Sequence, residues 1–265
     1  MPVRKWLELS TTDFRDLDRD QTLVLLPIGA TEQHGPHLPV GTDTFIVEEV
    51  LRRVGPTLDG LEALVLPAIW CSKSNEHVAF AGSLYFQAET MLALVHDLAA
   101  AIGRSGFKRL VLMNWHGGNT DLLGAMALDL HQRHSLMVFI IDIVRSFIKP
   151  GEQTGANQDY DIHAGRYETG IMLTAYPGLV KPGPYANIGS DMKRGRLAHS
   201  FAGYEWLIPE GGPVRVGWET TDLTADGVIG NPAEATAGEG ERDLTSMVER
   251  VEAMLREIAT FAYRP

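Results

Sequence analysis

Apolar and polar positions follow two alternating rhythms along the first half of this chain. Thr22 to Ile28 (TLVLLPI), Ala63 to Pro67, Arg109 to Met113 and Met137 to Asp142 are short aliphatic runs, the mark of buried strands. Between them Thr44 to Val54, Thr90 to Gly103 and Thr120 to His134 read as helices. In the second of these Met91, Leu94, Val95, Leu98 and Ile102 recur at helical spacing and mark a core face. A last amphipathic helix carries Leu244, Met247, Val248, Val251, Leu255 and Ile258, a packing stripe rather than a cofactor box. Repeated strand–helix units predict an α/β fold with a mainly parallel sheet between helices.

From Lys149 to Asn231 the rhythm breaks into Pro- and Gly-rich loop, interrupted by a short helix around Glu168 to Tyr176. Tyr185, Phe201, Tyr204, Trp206 and Trp218 are too aromatic for a disordered linker, so this stretch is expected to form a lid or pocket wall within one domain spanning 1–265. An apolar content of 45% is enough for a full core, and the lone cysteine, Cys71, excludes an intramolecular disulfide and fits a reducing cytoplasm. No signal core opens the chain, and no apolar run approaches the roughly 18–20 residues of a membrane span. A net charge of −11 argues against a nucleic-acid or anionic-membrane partner, either of which needs a basic face.

The chemistry concentrates where strands end. Glu32-Gln33-His34-Gly35-Pro36-His37 and Gly41-Thr42-Asp43 follow the first strand, Asn114-Trp115-His116-Gly117-Gly118-Asn119 follows a second, and Asp161 to Thr169 (DIHAGRYET) follows the last after a loop. Taken singly, each reads equally well as solvated loop. Together they suggest a metal site: Glu32 and His34 are two apart, so in extended backbone their side chains leave on one side. Nitrogen and oxygen donors without thiolate suit Zn²⁺, Mn²⁺ or Fe²⁺. No dinucleotide fingerprint, P-loop or H-E-x-x-H motif is present. His163 is the candidate general acid or base, since amide cleavage needs a proton delivered to the leaving nitrogen, against the alternative that it stands in an outer shell of the site.

The strings GATEQHGPHLPVGTDT (29–44), NWHGGNT (114–120), HAGRYET (163–169) and GVIGNPAEAT (227–236) resemble the creatininase family of metal-dependent amidohydrolases over nearly the whole chain. The resemblance implies a three-layer α/β/α sandwich with a mainly parallel central sheet, and two divalent ions per chain. It assigns Glu32, Asp43 and His116 to one ion and His34 with bridging Asp43 to the other. Creatinine-hydrolysing members carry a glutamate two positions beyond the histidine matching His116, where this chain has Gly118. Glu168, counted with His163 among the catalytic residues, is the expected replacement, against the alternative that it is a helix-start glutamate favoured by the macrodipole. Ser74, Glu76 and His77 are expected to line the substrate pocket, and His37 to fix the first loop. Gly117 and Gly118 permit a tight turn whose N–H groups could bind an oxyanion, or else serve close helix–strand packing. His96, His131, His134 and His199 have no motif around them.

The implied reaction is hydrolysis of a non-peptide C–N bond in a small, cyclic, creatinine-like amide by water, without a covalent intermediate. Creatinine-hydrolysing members share lid tryptophans before the HAG motif, and none lies between Trp115 and Trp206 here, which weakens creatinine itself. Other creatininase-like proteins act as formamide deformylases, as peptide-end peptidases in mycofactocin maturation, or on oxidised inositols. Outside the class stand a Cys71-dependent amidase and a non-catalytic metal or ligand-binding protein. The resemblance also implies a homo-oligomer, often hexameric.

Overall fold

Alternate residues of β2 (Leu23–Ile28) go to opposite faces of a sheet, and both faces are covered. Leu23 and Leu25 enter one buried layer and Val24, Leu26 and Ile28 the other, so the strand reads as an unbroken apolar run. The structure is a computed structural model that describes residues 3–146, 161–186, 188, 214 and 216–262. The other strands are β1 (Arg4–Lys5), β3 (Ala63–Val65), β4 (Arg109–Asn114) and β5 (Met137–Asp142). They are ordered β1-β3-β2-β4-β5, and every pairing is parallel.

The helices are α1 (Thr42–Val54), α2 (Ala88–Arg104), α3 (Thr120–His134), α4 (Ile143–Ser146), α5 (Arg166–Ala175), α6 (Thr220–Leu223) and α7 (Ala237–Thr260). Ile46, Val47 and Val50 of α1, Ile171 and Met172 of α5, and Leu244, Met247, Val251 and Leu255 of α7 pack on the Leu23 face. Met91, Val95, Ala99 and Ile102 of α2 and Leu123, Met126 and Leu130 of α3 cover the other. Burying each such side chain contributes about 1.5–3 kcal/mol. The expected three-layer α/β/α sandwich is therefore present, with α5 and α7 in tight contact. A Cβ on Gly240 would lie 1.9 Å from the Gly170 carbonyl oxygen, so the backbones touch where a side chain would separate them.

Several boundaries differ from the sequence expectation. Strand β1 was not anticipated, because two residues show no periodicity; it forms by pairing Arg4 with Leu64 and Lys5 with Val65. Helix α1 starts at Thr42, two residues earlier than expected, which puts Asp43 in its first turn where the macrodipole favours a carboxylate. The strand expected over 63–67 stops at Val65, α2 extends a residue or two beyond the expected 90–103, and α5 begins at Arg166. Elements α3 and β5 have the expected limits. Of the lid aromatics, Tyr185 stacks on His37 at 5.1 Å and Trp218 packs on Leu223 and Ile229. Phe201, Tyr204, Trp206 and His199 lie outside the described residues. No helix among the described residues is long and apolar enough to cross a membrane.

Strand β2 feeds α1 on one face while its neighbour β4 feeds α3 on the other. Between their carboxyl ends the connections diverge, leaving a crevice of the kind where open α/β sheets bind ligands.

Candidate metal centre

Four chain segments meet in that crevice. After β2 the chain turns at Gly35, whose φ of +66° suits glycine, and the turn is closed by the Gly35 N–H donating to Gln33 Oε1 at 2.9 Å. Glu32 and His34 project inward from it, and both are buried. After β4, Asn114 clamps the next turn: its Nδ2 donates to the His116 carbonyl at 2.8 Å and its Oδ1 accepts from the His116 N–H at 3.2 Å. The HAG loop is held by Asp161, which accepts the N–H groups of Arg166 and Tyr167 at 2.8 and 2.9 Å, and by paired backbone bonds between His163 and Ile229. Burial raises the Asp161 carboxyl to about 6 against those two bonds. Sequence reasoning assigns Asn114 and Asp161 no role, although each stands at the edge of its turn.

Asp43 stands between two histidines, Oδ1 at 3.2 Å from His34 Nε2 and Oδ2 at 3.3 Å from His116 Nδ1. His116 Nδ1 is also 3.2 Å from Glu32 Oε2, and His34 Nε2 is 3.7 Å from Glu168 Oε2. His34 Nδ1–H donates to the Glu32 carbonyl at 3.0 Å, which aims Nε2 at the carboxylates. Glu32, His34 and Asp43 form one group able to hold a metal ion, His34, His163 and Glu168 a second, and Glu32, Glu76 and His116 a third. Glu32 with His77 and His163 makes a fourth.

The electrostatics of the cluster suit a bound cation. The ion partners of Glu32, Asp43 and Glu168 among the described residues are all histidines. Burial opposes charge on His34, yet Glu168 and Asp43 outweigh it and hold the imidazole well above its usual range; Glu32 does the same for His116. Asp43, opposed by burial, is held far below the carboxylate range by His34 and His116. Glu32 is driven the other way by burial. His34 Nε2 and Asp43 Oδ2 are buried with no hydrogen-bond partner, a costly arrangement that a divalent cation between them would satisfy. The donor set, carboxylate oxygen and imidazole nitrogen, fits Zn²⁺, Mn²⁺ or Fe²⁺.

The pocket residues lie closer to this centre than lining positions would. Ser74 Oγ donates to Glu32 Oε2, and His77 Nε2 is 3.5 Å from Glu32 Oε1. Glu76 Oε1 lies 3.2 Å from His116 Nε2, whose hydrogen is also directed at the Lys73 carbonyl at 2.9 Å. The Gly117-Gly118 turn needs no left-handed backbone, since neither glycine has positive φ. Gly118 is required for room instead: a Cβ there would sit 2.1 Å from Glu76 Oε1 and 2.5 Å from His116 Nε2. Glu168 serves as a helix-start glutamate as well as facing His34, accepting the Ala164 N–H at 2.6 Å and Trp115 Nε1–H at 3.3 Å. His163 stacks between His34 and His77, with centroids 4.3 Å from each.

His37 stands apart, bonded to Thr169 Oγ1 at 2.8 Å. His96 and His134 contact each other at 3.3 Å on α2 and α3, and His131 bonds the Leu136 carbonyl at 2.7 Å, all away from the crevice. Cys71 is buried, and burial raises its thiol pKa, the reverse of what an activated nucleophile needs.

Comparison with known proteins gives the same direction. The creatininase (creatinine amidohydrolase) family pattern matches residues 7–255. Mycofactocin precursor peptide peptidases are 30% identical over 263 residues in Mycobacterium ulcerans (91% of this chain, 88% of the relative) and 33% over 255 residues in Mycobacterium tuberculosis (91% and 88%). A creatinine amidohydrolase of Pseudomonas putida is 30% identical over 175 residues, 60% of this chain and 66% of that one. A solved manganese creatininase superposes with a TM-score of 0.72 at 23% identity, covering 97% of this chain and 99% of that one. A Zn-Zn creatininase variant gives 0.70 at 21%, covering 97% and 98%. With the fold, the strand-end motifs and a family match over residues 7–255 in agreement, the chain belongs to the creatininase family of metal-dependent hydrolases acting on carbon–nitrogen bonds.

Proposed function

We propose that this chain hydrolyses an amide C–N bond with two divalent ions, one held by Glu32, Asp43 and His116 and the other by His34, Glu168 and a bridging Asp43. The observation that carries the reading is Asp43, buried with one oxygen toward each of two histidines and no lysine or arginine paired with it among the described residues. When bound, such ions supply Lewis acidity and a low-pKa water at neutral pH. His163 commits Nε2–H to the Gln33 carbonyl at 2.6 Å and turns a bare Nδ1 into the pocket, so it can take a proton from water and pass it to the leaving nitrogen. Burial, and then His34, lower its pKa to about 4, which keeps it a neutral acceptor. The attacking group is water and the products are a carboxylate and an amine.

The substrate expected from the motifs is a small, cyclic, creatinine-like amide. A second reading, cleavage of an amide bond at a peptide end, is supported by relatives of that named activity matching 91% of the chain, against 60% for the creatinine amidohydrolase. Gly118 in place of the glutamate of creatinine-hydrolysing members weighs the same way. Metal per chain, measured by mass spectrometry on protein purified without chelator, should be near two in the wild type and largely lost in Asp43→Asn. A wild type that neither holds nor takes up metal would overturn the proposal. Metal-loaded enzyme should then be assayed against creatinine, formamides and short peptides. Turnover of peptides alone would select the second reading, and no turnover of any amide would remove hydrolysis of amides.

A further inference from the structure

The fourth donor group, Glu32 with His77 and His163, has the composition of a metal site, and one uncharged residue argues that it is something else. Gln33 touches both histidines: its backbone carbonyl accepts from His163 Nε2–H at 2.6 Å, and its side-chain Nε2 is 2.8 Å from His77 Nδ1. The orientation of that amide is determined by its other contacts. Oε1 accepts the Gly35 N–H at 2.9 Å, and Nε2 donates to the Gly227 carbonyl at 2.9 Å. The nitrogen facing His77 is therefore a donor, and a donor demands a bare Nδ1. Thr220 Oγ1, 2.8 Å from the same Nδ1 and 3.0 Å from the Glu76 carbonyl, carries a rotatable hydrogen and accommodates either tautomer, so the amide decides.

A neutral His77 with bare Nδ1 carries its hydrogen on Nε2, the atom 3.5 Å from Glu32 Oε1. An imidazole nitrogen bearing hydrogen cannot ligate a metal. His163, by contrast, has its hydrogen on Nε2 and a bare Nδ1 at 3.6 Å from the same Glu32 oxygen. We infer that Gln33 is a positioning residue that sets opposite tautomers in the two stacked histidines, so that His77 presents a proton donor and His163 a proton acceptor to the pocket. The amide is seated with little slack, because a Cβ on Gly227 would lie 1.9 Å from Gln33 Oε1. The tautomers hold whatever the reaction is; their use as a donor–acceptor pair rests on the proposed hydrolysis, with His77 donating to the substrate carbonyl or to Glu32 while His163 moves the proton.

The test is two-bond ¹H–¹⁵N correlation on full-length, zinc-loaded protein labelled with ¹⁵N-histidine, the His77 signals being assigned through His77→Gln. The wild type should show His77 neutral with hydrogen on Nε2. Gln33→Glu replaces the donor with an acceptor of the same shape and should move the hydrogen to Nδ1, while Gly227→Ala, which displaces the amide without altering it, should give a mixture or the same move. Hydrogen on Nδ1 of wild-type His77, or an unchanged tautomer in folded Gln33→Glu, would overturn the inference. Zinc content measured on the same samples separates this outcome from failure of the metal reading, since metal-free wild type would sink the latter and leave the tautomers to be read directly.

Discussion

At the scale of single residues, the instructive exchange is between positions 118 and 76. Glu76 reaches the space above Gly118 from a different loop and hydrogen-bond distance from His116 Nε2, so its carboxylate stands behind the imidazole whose other nitrogen faces Glu32 and Asp43. Outer carboxylates of this kind orient a ligating histidine, and their loss typically costs 10–100-fold in metal affinity. Gly118→Ala should therefore weaken metal binding by about tenfold or more, because the new methyl meets both Glu76 and His116. Competition with a chelating dye would measure it, and unchanged affinity would show that the loop yields freely. Sequence alone marked Gly118 as a turn glycine and Glu76 as pocket lining. Their relation was hidden because it joins residues 42 positions apart, through a contact that no local pattern encodes.

Among elements, the support of the site runs through α1, α5 and α7. Asp43 opens α1 and Glu168 opens α5, while α7 presses on both. Gly240→Ala would drive a methyl into the Gly170 carbonyl and push α5 away, so a stability loss of about 1–3 kcal/mol or more is expected, with weaker metal retention because Glu168 moves too. Urea titration and metal analysis of the one variant would check both effects. Glu49 ties α1 internally: it accepts from Arg52 at 2.6 Å and Arg53 at 2.8 Å, and Arg53 reaches Glu241 of α7 at 2.6 Å. The Arg52 bond, together with Arg53, holds the Glu49 carboxyl below its ordinary 4.5. A depressed carboxyl adds stability above the unfolded value and loses it as pH falls through the folded one. Glu49→Gln should thus cost about 1 kcal/mol at pH 7, discounted for the exposed Arg52, and the gap from wild type should close below pH 4.5 in thermal melts. Helical stripes and aliphatic strands made α3 and β5 readable to the residue. Strand β1 was not readable, because two residues carry no period and owe their form to β3 alone.

For the whole molecule, folding and metal loading should be linked. The crevice gathers Glu32, Asp43, Glu76 and Glu168 around imidazoles, and part of the net charge of −11 is repulsion that a cation relieves. Any ion bound by the native state alone stabilises by mass action, so chelation should lower the wild-type melting temperature and leave Asp43→Asn nearly unmoved. Loading should also release protons, since the carboxylates hold His34 and His116 protonated and ligation requires them neutral. Apparent affinity should consequently rise with pH, and calorimetry in two buffers of different ionisation enthalpy would count the protons. The motifs pointed to candidate ligands at particular strand ends; the switch between β2 and β4, which brings those ends together, emerged only from strand order.

The arrangement around Gly118 also bears on how such proteins are found. A carboxylate that lies behind one imidazole from residue 76, and another that faces a second imidazole from residue 168, are delivered by loops with no fixed separation along the chain. A search template written as an ordered string, with glutamate required two places after the histidine, would pass over this protein. A template written as distances between oxygen and nitrogen atoms would retrieve it, and would retrieve as well any protein that brings such carboxylates to its imidazoles from yet another loop.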